Sequence, residues 1–394
     1  MATLPTSTNV LIVGAGPTGL ALAVALQQAG VDYLLIDKLD RGHKLSRAIV
    51  IHAHALEVME PLGVSKELVR QGLTISKIAI RDRDQPLLRV HMDNLPSVYR
   101  HLLMIPQDVT ERILCDRLTA LGGSVHRGVT ATAVEQDDGS ASAKLATPDG
   151  DRVVRVRYVI GADGMHSLVR QSAGIAFEGG TYEESFVLAD VKMTWRLDPD
   201  ENSLFLSPAG PLLVVPLPGG AFRVVAMLAD PPETPTRDDV QRLLDSRGPS
   251  NDHSVVEEVL WSSRFRVHHR VVDSYRKGAV LLMGDAAHVH SPAGGQGMNT
   301  GLVDAMVLAQ LLIRVLCENK PDATLDAYGA LRRPAAVKVL ALAARLTRMA
   351  ILRGVPLRIL RNALLRLIDH VPPVKQHLAL DLSGLSRKKF AQIE

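Results

Sequence analysis

The sequence predicts an α/β protein: a Rossmann-like domain, interrupted by an inserted, mostly antiparallel β-sheet and followed by C-terminal helices. Three observations carry this. The chain opens as strand, glycine-rich turn, helix and strand, an order that implies a parallel sheet with a right-handed crossover. A buried strand, Ala279–Met283, returns late and runs through a glycine-rich loop into a long apolar helix. Between the two, about residues 183–270, β-branched residues, Pro and Gly dominate, as in a separate sheet. The nucleotide domain is therefore expected to be discontinuous, over 1–74, 100–182 and 270–334. The inserted sheet is expected over 75–99 and 183–269, and a helical segment over 335–394.

Each element follows from local pattern. Asn9–Val13 is a short apolar strand, and Pro17–Ala29 a helix with Pro near its start and Gly30 at the left-handed position beyond its end. Val31–Ile36 is the second strand, and Ala53–Leu62 a helix closed by Gly63. Residues Ile75–Tyr99 are strand-like, punctuated by Pro86 and Pro96. Gln107–Leu121 is a helix ending at Gly122-Gly123, and Thr130–Ala146 with Arg152–Ile160 a hairpin leading into a strand. In the middle, Leu212–Leu217 and Phe222–Leu228 flank Pro218-Gly219-Gly220, and one helix falls near Arg237–Leu244. Leu302, Ala305, Met306, Ala309, Leu312, Ile313 and Leu316 recur at helical spacing, which gives a helix over Gly297–Leu316. Beyond Pro334 the chain is helical and Arg-rich.

The 394 residues are more than one core usually holds. A hydrophobic fraction of 46% and a charged fraction of 22% are those of a globular protein. The net charge of +3 is too weak to point to nucleic acid. Two distant cysteines, Cys115 and Cys317, match neither a disulfide framework nor a metal spacing. Met1–Thr8 lacks the features of a signal peptide, and the apolar stretch from Val337 to Ile359 is broken by Lys338, Arg345, Arg348 and Arg353. A cytoplasmic protein, monomeric or homodimeric, is expected. The Arg-rich C-terminal helices are expected to pack on the parent domain, with their charges solvated and no membrane contact.

The chemistry is carried by motifs at helix N-termini. In Gly14-Ala15-Gly16-Pro17-Thr18-Gly19, Gly14 permits the tight turn, Gly16 lets a pyrophosphate approach the backbone and Gly19 lets helix and strand pack closely. Phosphate charge then meets unpaired N–H groups and the positive end of the helix dipole. Asp37 ends the second strand, where its carboxylate can accept from ribose hydroxyls. Much later, Gly284-Asp285 ends a strand, and Ser291-Pro292-Ala293-Gly294-Gly295-Gln296-Gly297-Met298-Asn299 opens a second helix. Its first N–H groups, on Met298 and Asn299, suit an anionic ring system.

Taken with Gly161-Ala162-Asp163-Gly164-Met165-His166-Ser167-Leu168-Val169-Arg170, these stretches resemble the three motifs of the class A flavoprotein monooxygenases, the aromatic hydroxylases of the para-hydroxybenzoate hydroxylase fold. The resemblance runs from Asn9 to about Leu385. It implies a Rossmann-like FAD-binding domain and FAD contacts from Gly14, Gly16, Pro17, Thr18, Gly19, Asp37, Lys38, Arg47, Gln107, Asp163, Gly284, Asp285, Pro292, Gly295, Gly297, Met298 and Asn299. It further implies that NADPH or NADH reduces the flavin and that a flavin C4a-hydroperoxide, formed with O2, hydroxylates an aromatic substrate. The sequence departs from the family pattern at Asp37, where Glu is common, at His54, where Arg is common, and at Ser291, where a second Pro is common. A flavin-dependent halogenase is disfavoured, because Trp195 and Trp261 sit in no W-x-W-x-I-P run. A dehydrogenase or reductase of the same superfamily, independent of oxygen, is the main alternative, and a non-catalytic FAD-binding module the second.

Pro292 is expected beside the reacting ring, its carbonyl toward the substrate. His52, His54, His288 and His290 are candidates for a base by location only, with His52 preferred. Asp285, His288 and His290 lie inside the flavin loop and are not read as metal ligands. Phe205, Leu213, Val215 and Pro292 are candidate substrate contacts. The strands Leu204–Ser207 and Leu212–Val215 offer no Arg to clamp a carboxylate, with Arg223 on the next strand the nearest. An apolar, phenolic or polycyclic ring is therefore favoured over a benzoate-like acid.

Overall fold

The computed structural model describes residues 4–42, 48–250, 254–352 and 354–393, without the side chains of 182–184. Arg47 lies outside the described residues.

The first sheet runs in the order Arg276–Lys277, Val280–Leu282, Gly150–Gly161, Ser7–Val13, Tyr33–Asp37, His126–Arg127, with the strands Thr130–Asp137 and Ser140–Thr147 attached to Gly150–Gly161. Where its parallel strands pair, Val10–Val13, Leu34–Ile36, Val159–Ile160 and Val280–Leu282 are all buried Val, Leu or Ile, as expected of a parallel sheet covered on both faces. Register sets the site. Val13 stands opposite Gly161, and Gly161 opposite Leu282, all in parallel pairs. Ala162 N–H donates to Val13 O at 2.9 Å and Met283 N–H to Gly161 O at 3.0 Å. The three motif-bearing turns therefore leave the sheet at one level, along its C-terminal edge, where open α/β sheets bind ligands.

The second sheet has the order His288–Val289, Val256–Val272, Phe177–Met193, Phe222–Leu228, Gly210–Pro216, Glu201–Ser207, Lys77–Asp82, Gln85–His91. It is antiparallel except where Glu201–Ser207 meets Lys77–Asp82. Its two longest strands, Phe177–Met193 and Val256–Val272, pair along their length with three irregularities in register. They run through the expected boundaries at 182/183 and 269/270, which makes them continuous struts between the layers. A third small sheet, Val50–Ile51, Leu102–Met104 and Leu73–Ile75, lies beside the junction.

Helix Gly297–Leu316 packs on helix Pro17–Gln28. Among the described residues it is the one helix long and apolar enough to cross a bilayer, yet most of it is buried in the core. The expected segment boundary at 334/335 falls inside helix Asp326–Ala350, which runs through Pro334. Pro334 is on the exposed side, where water can pair the carbonyl it releases.

The helix Val355–Asp369 departs from expectation. It buries only Arg361 and Leu365. Val355, Leu357, Ile359, Leu360, Leu364 and Leu367 are each more than half exposed. Arg361 tolerates its inner position because its guanidinium donates to Leu206 O and Met349 O at 3.3 Å and to Asn362 Oδ1 at 3.0 Å. The apolar residues here are thus not the packed face that the sequence pattern implies.

Candidate functional site

The glycine turn is shaped by close backbone approach. Gly14 has φ +106°, and a Cβ there would stand 2.3 Å from Ala162 O. One on Gly19 would stand 1.9 Å from Gly14 O. Gly16 differs, since nothing lies within 4 Å of its missing Cβ. It caps helix Pro17–Gln28 with no side-chain hydrogen bond and no acid in the first turn, which leaves the first N–H groups uncapped by side chains. Asp37 is partly occupied from behind: Oδ2 accepts from Ala15 N–H at 2.7 Å and Oδ1 from Leu39 N–H at 2.8 Å. Lys38, next to it, is exposed.

On the second turn, Asp163 Oδ2 accepts from Val169 N–H at 3.3 Å, whereas Oδ1 is buried with no partner among the described residues. Burial pushes its carboxyl above the usual carboxylate range. Arg170 donates to Met165 O at 2.8 Å and Ala286 O at 2.9 Å, which ties the second turn to the third.

The third turn meets the first at Thr18. A Cβ on Gly284, φ +57°, would lie 3.0 Å from Thr18 Oγ1, and one on Gly301 would lie 2.5 Å from the same atom. Behind the turn sits a buried charge cluster. Asp304 Oδ2 accepts from Gly284 N–H at 3.1 Å and lies 2.6 Å from His288 Nε2. Asp304 Oδ1 accepts from Arg332 Nε at 2.7 Å. Burial pushes the Asp304 carboxyl up, but Arg332 and His288 outweigh it and hold the group below its ordinary value. His288 is thus a structural partner. Asp285 stands exposed at the tip of the turn. No group of three or more His, Cys, Asp or Glu among the described residues is arranged to hold a metal.

The loop before Gly297 is pinned from one side. Asn299 Nδ2 donates to Val50 O at 2.9 Å and Gly295 O at 2.8 Å, and its Oδ1 accepts from His52 N–H at 2.7 Å. His52 Nε2 lies 3.0 Å from Gly294 O and 3.2 Å from Gly295 O. Gln296 Nε2 donates to Leu382 O at 2.8 Å, and its Oε1 accepts from Arg387 at 2.6 Å. A Cβ on Gly295 would stand 2.3 Å from Val50 Cγ1, so only glycine fits. The following helix has no side-chain cap and no acid in its first turn. The loop is thus held rigidly while the N–H groups of Gly297, Met298 and Asn299 stay outside the helix's own bonding.

Three expectations change here. His52 is buried against the loop carbonyls, and burial pushes its pKa down to about 4. It is a neutral positioning group and a poor base. Pro292 is exposed at the loop tip, but its carbonyl accepts from Gly295 N–H at 2.9 Å instead of being turned free toward a substrate. Phe205 lies on the face of the second sheet turned away from Val50 and the flavin loop. Strand alternation puts it with Leu212, Val214 and Val224 against helix Arg237–Arg247. Leu204, Leu206, Leu213 and Val215 point the other way, toward Val50 and Ala53, and Leu204 and Leu213 are incompletely covered.

Arg223 is buried and committed to Asp190, with contacts of 2.6 and 2.8 Å. Its fork is matched by an internal carboxylate, so it is no clamp for a benzoate. Gln107 opens helix Gln107–Ala120, where its Oε1 accepts from Ala48 N–H at 3.4 Å and its Nε2 donates to Glu111 at 2.9 Å. Of the charged residues that hold the third turn, Asp304 closes the motif stretch that begins at Gly284 but has no role assigned by sequence, and Arg332 lies in no motif. An Asp within the apolar pattern of the helix was the available signal for one of them.

These features fit FAD. The open side of Gly16, the orphaned Asp163 Oδ1 and two uncapped helix N-termini are what an anionic dinucleotide with ribose hydroxyls requires. The family described as FAD binding domain matches residues 7–343. The 6-methylpretetramide 4-monooxygenase of Streptomyces rimosus is 34% identical over 390 residues, which span 96% of this chain and 69% of that protein. The pentachlorophenol 4-monooxygenase of Sphingobium chlorophenolicum is 36% identical over 343 residues, spanning 84% and 63%. The chain therefore spans about two thirds of the length of these relatives. Among solved structures, p-nitrophenol 4-monooxygenase from Pseudomonas putida matches with a TM-score of 0.87 over 99% of this chain and 100% of that one, a likeness of fold at 22% identity. Anhydrotetracycline hydroxylase from Streptomyces rimosus matches with a TM-score of 0.77 at 30% identity, over 96% and 76%.

Proposed function

The chain belongs to the FAD-binding-domain family of flavin-dependent aromatic monooxygenases, and from that premise we propose that it hydroxylates a largely apolar phenolic or polycyclic ring, with NADPH or NADH as reductant. The observation that carries the reading is the common level of Val13, Gly161 and Leu282. It brings two anion-receptive helix ends and the Asp163 carboxyl to one sheet edge. When bound, FAD supplies hydride acceptance and the activation of O2.

The protein's part is position and charge. The N–H groups of Gly297, Met298 and Asn299 would stabilise negative charge next to the helix N-terminus. Asn299, His52 and Gln296 hold that loop from behind, so its donors need little reorganisation. With its pKa near 4, His52 is neutral at physiological pH and releases no proton into the site. The incompletely covered side chains of Leu204 and Leu213 offer an apolar wall for a ring. The commitment of Arg223 to Asp190 supports a neutral or phenolic substrate. The relatives named for 6-methylpretetramide and pentachlorophenol are consistent with that chemistry. The free cysteines Cys115 and Cys317 suit a reducing compartment such as the cytoplasm.

The test is oxidation of NADPH and NADH by the holoprotein with a panel of phenols and polycyclic aromatics, with hydrogen peroxide followed in parallel. A compound that speeds nicotinamide oxidation and suppresses peroxide establishes the hydroxylase and its substrate class. Oxidation that proceeds without oxygen, or that no ring compound alters, turns the assignment to a dehydrogenase.

A further inference from the structure

We propose that the helix Val355–Asp369 is a docking surface for an anionic membrane, lying in the headgroup region without crossing the bilayer. The inference stands apart from the catalytic reading.

On this helix the solvent-facing arc holds Ile359, Leu360, Ala363, Leu364 and Leu367 and no charge, while the inner arc holds Arg361, Leu365 and Ile368. Leu357, Leu360, Leu364 and Leu367 recur at i, i+3, i+7 and i+10, the spacing of one apolar stripe. Scattered exposed leucines need no explanation, but a contiguous stripe does.

Charge chooses the occupant. From Val337 to His370 the sequence has seven Lys or Arg and one acid, Asp369. Asp369 is already paired with Lys375 at 2.9 Å. Arg345 and Arg348 on the preceding helix, Arg366 on the flank of the stripe and Arg89 on the adjoining edge strand are exposed. A second copy of the chain would bring the same cations against one another. An anionic lipid surface complements them and accepts the leucines beneath its headgroups.

The experiment uses the full-length holoprotein and vesicles of phosphatidylcholine alone or mixed with phosphatidylglycerol. Co-sedimentation is expected with the mixed vesicles only, and it should fall as salt is raised. Leu360→Glu with Leu364→Glu is expected to lower the bound fraction by about tenfold or more, with FAD content and turnover of a soluble substrate unchanged. Arg345→Glu with Arg348→Glu should weaken binding to the anionic vesicles alone. Absence of binding to mixed vesicles, or binding indifferent to the leucine pair, overturns the proposal. So does a concentration-dependent dimer, seen by sedimentation velocity without lipid, that the leucine pair dissolves.

Discussion

Substitution of Gly301 by Ala tests the crowded meeting of the first and third turns. A Cβ at this position would stand 2.5 Å from Thr18 Oγ1, 3.2 Å from Gly284 Cα and 3.6 Å from Thr18 Cβ. Ordinary carbon contacts lie at about 3.5–4.0 Å, so Thr18 Oγ1 is the severe clash and the Gly284 contact a mild one. Overpacking of this kind costs about 1–3 kcal/mol. Against it, Gly301 is inside a helix, where Ala is favoured by about 1 kcal/mol. Gly301→Ala should therefore destabilise the protein by about 0–2 kcal/mol. In a Thr18→Ala background the severe clash is gone, and the same change should be more favourable than with Thr18 present by about 1–3 kcal/mol. Denaturant unfolding of the four proteins gives the coupling, and titration of each deflavoprotein with FAD gives the matching affinities. With Thr18 present, Gly301→Ala should weaken FAD binding by about tenfold, equivalent to about 1.4 kcal/mol. Effects of Gly301→Ala that agree within about 0.5 kcal/mol in both backgrounds would refute the argument.

Asp304→Asn leaves the Arg332 guanidinium buried without its carboxylate and should cost about 3–5 kcal/mol at neutral pH in denaturant unfolding. Because the folded state holds the Asp304 carboxyl below its ordinary value, its contribution is present above the unfolded pKa of about 3.9 and lost as pH falls through the folded value; the gap between wild type and Asp304→Asn should close in acid. Asp163→Ala removes the buried acceptor and should weaken FAD binding by about 1–3 kcal/mol, measured by fluorescence titration, while a wild-type affinity would mean that the cofactor does not use it. His52→Ala should raise the share of nicotinamide oxidation that ends as peroxide, and the wild-type rate profile should carry no limb from His52 between pH 5 and 8, given its pKa near 4. Phe205→Ala should cost about 3–5 kcal/mol of stability with KM unchanged, whereas Leu213→Ala should shift KM and substrate preference, and a reversal of the two would put the substrate on the other face of the sheet.

Local signals in the sequence were reliable where local sterics decide. Gly14 and Gly30 take positive φ as their turn and cap positions require. The helix Gly297–Leu316 has the bounds its apolar spacing predicts. What the sequence could not reveal depends on pairing over long separations. The contacts of His52 with Gly294 and of Asn299 with Val50 join residues more than two hundred positions apart, and no periodicity encodes them. Alternation divides Phe205 from Leu204 and Leu213, but which face meets the cofactor loop depends on where helix Arg237–Arg247 docks. Over Val355–Asp369, periodicity reports amphipathicity and is silent on which side finds a partner, so the packing expected of the Arg-rich helices does not extend to its apolar residues.

The crowding at Thr18 also bears on the order in which the protein comes into being. The turn at Gly14–Gly19 leaves the ribosome nearly three hundred residues before Gly284 and Gly301, against which it closes. At about 5–20 residues per second, that is a wait of roughly 15–60 s. During it the first helix has neither its packing partner, Gly297–Leu316, nor a complete pocket for the cofactor. Both halves of the crowded contact, and with them the facing turns, exist only once about three quarters of the chain has been made. Until then helix Pro17–Gln28 can pack on its own strands and on helix Gln107–Ala120, but its face toward Gly297–Leu316 stays uncovered.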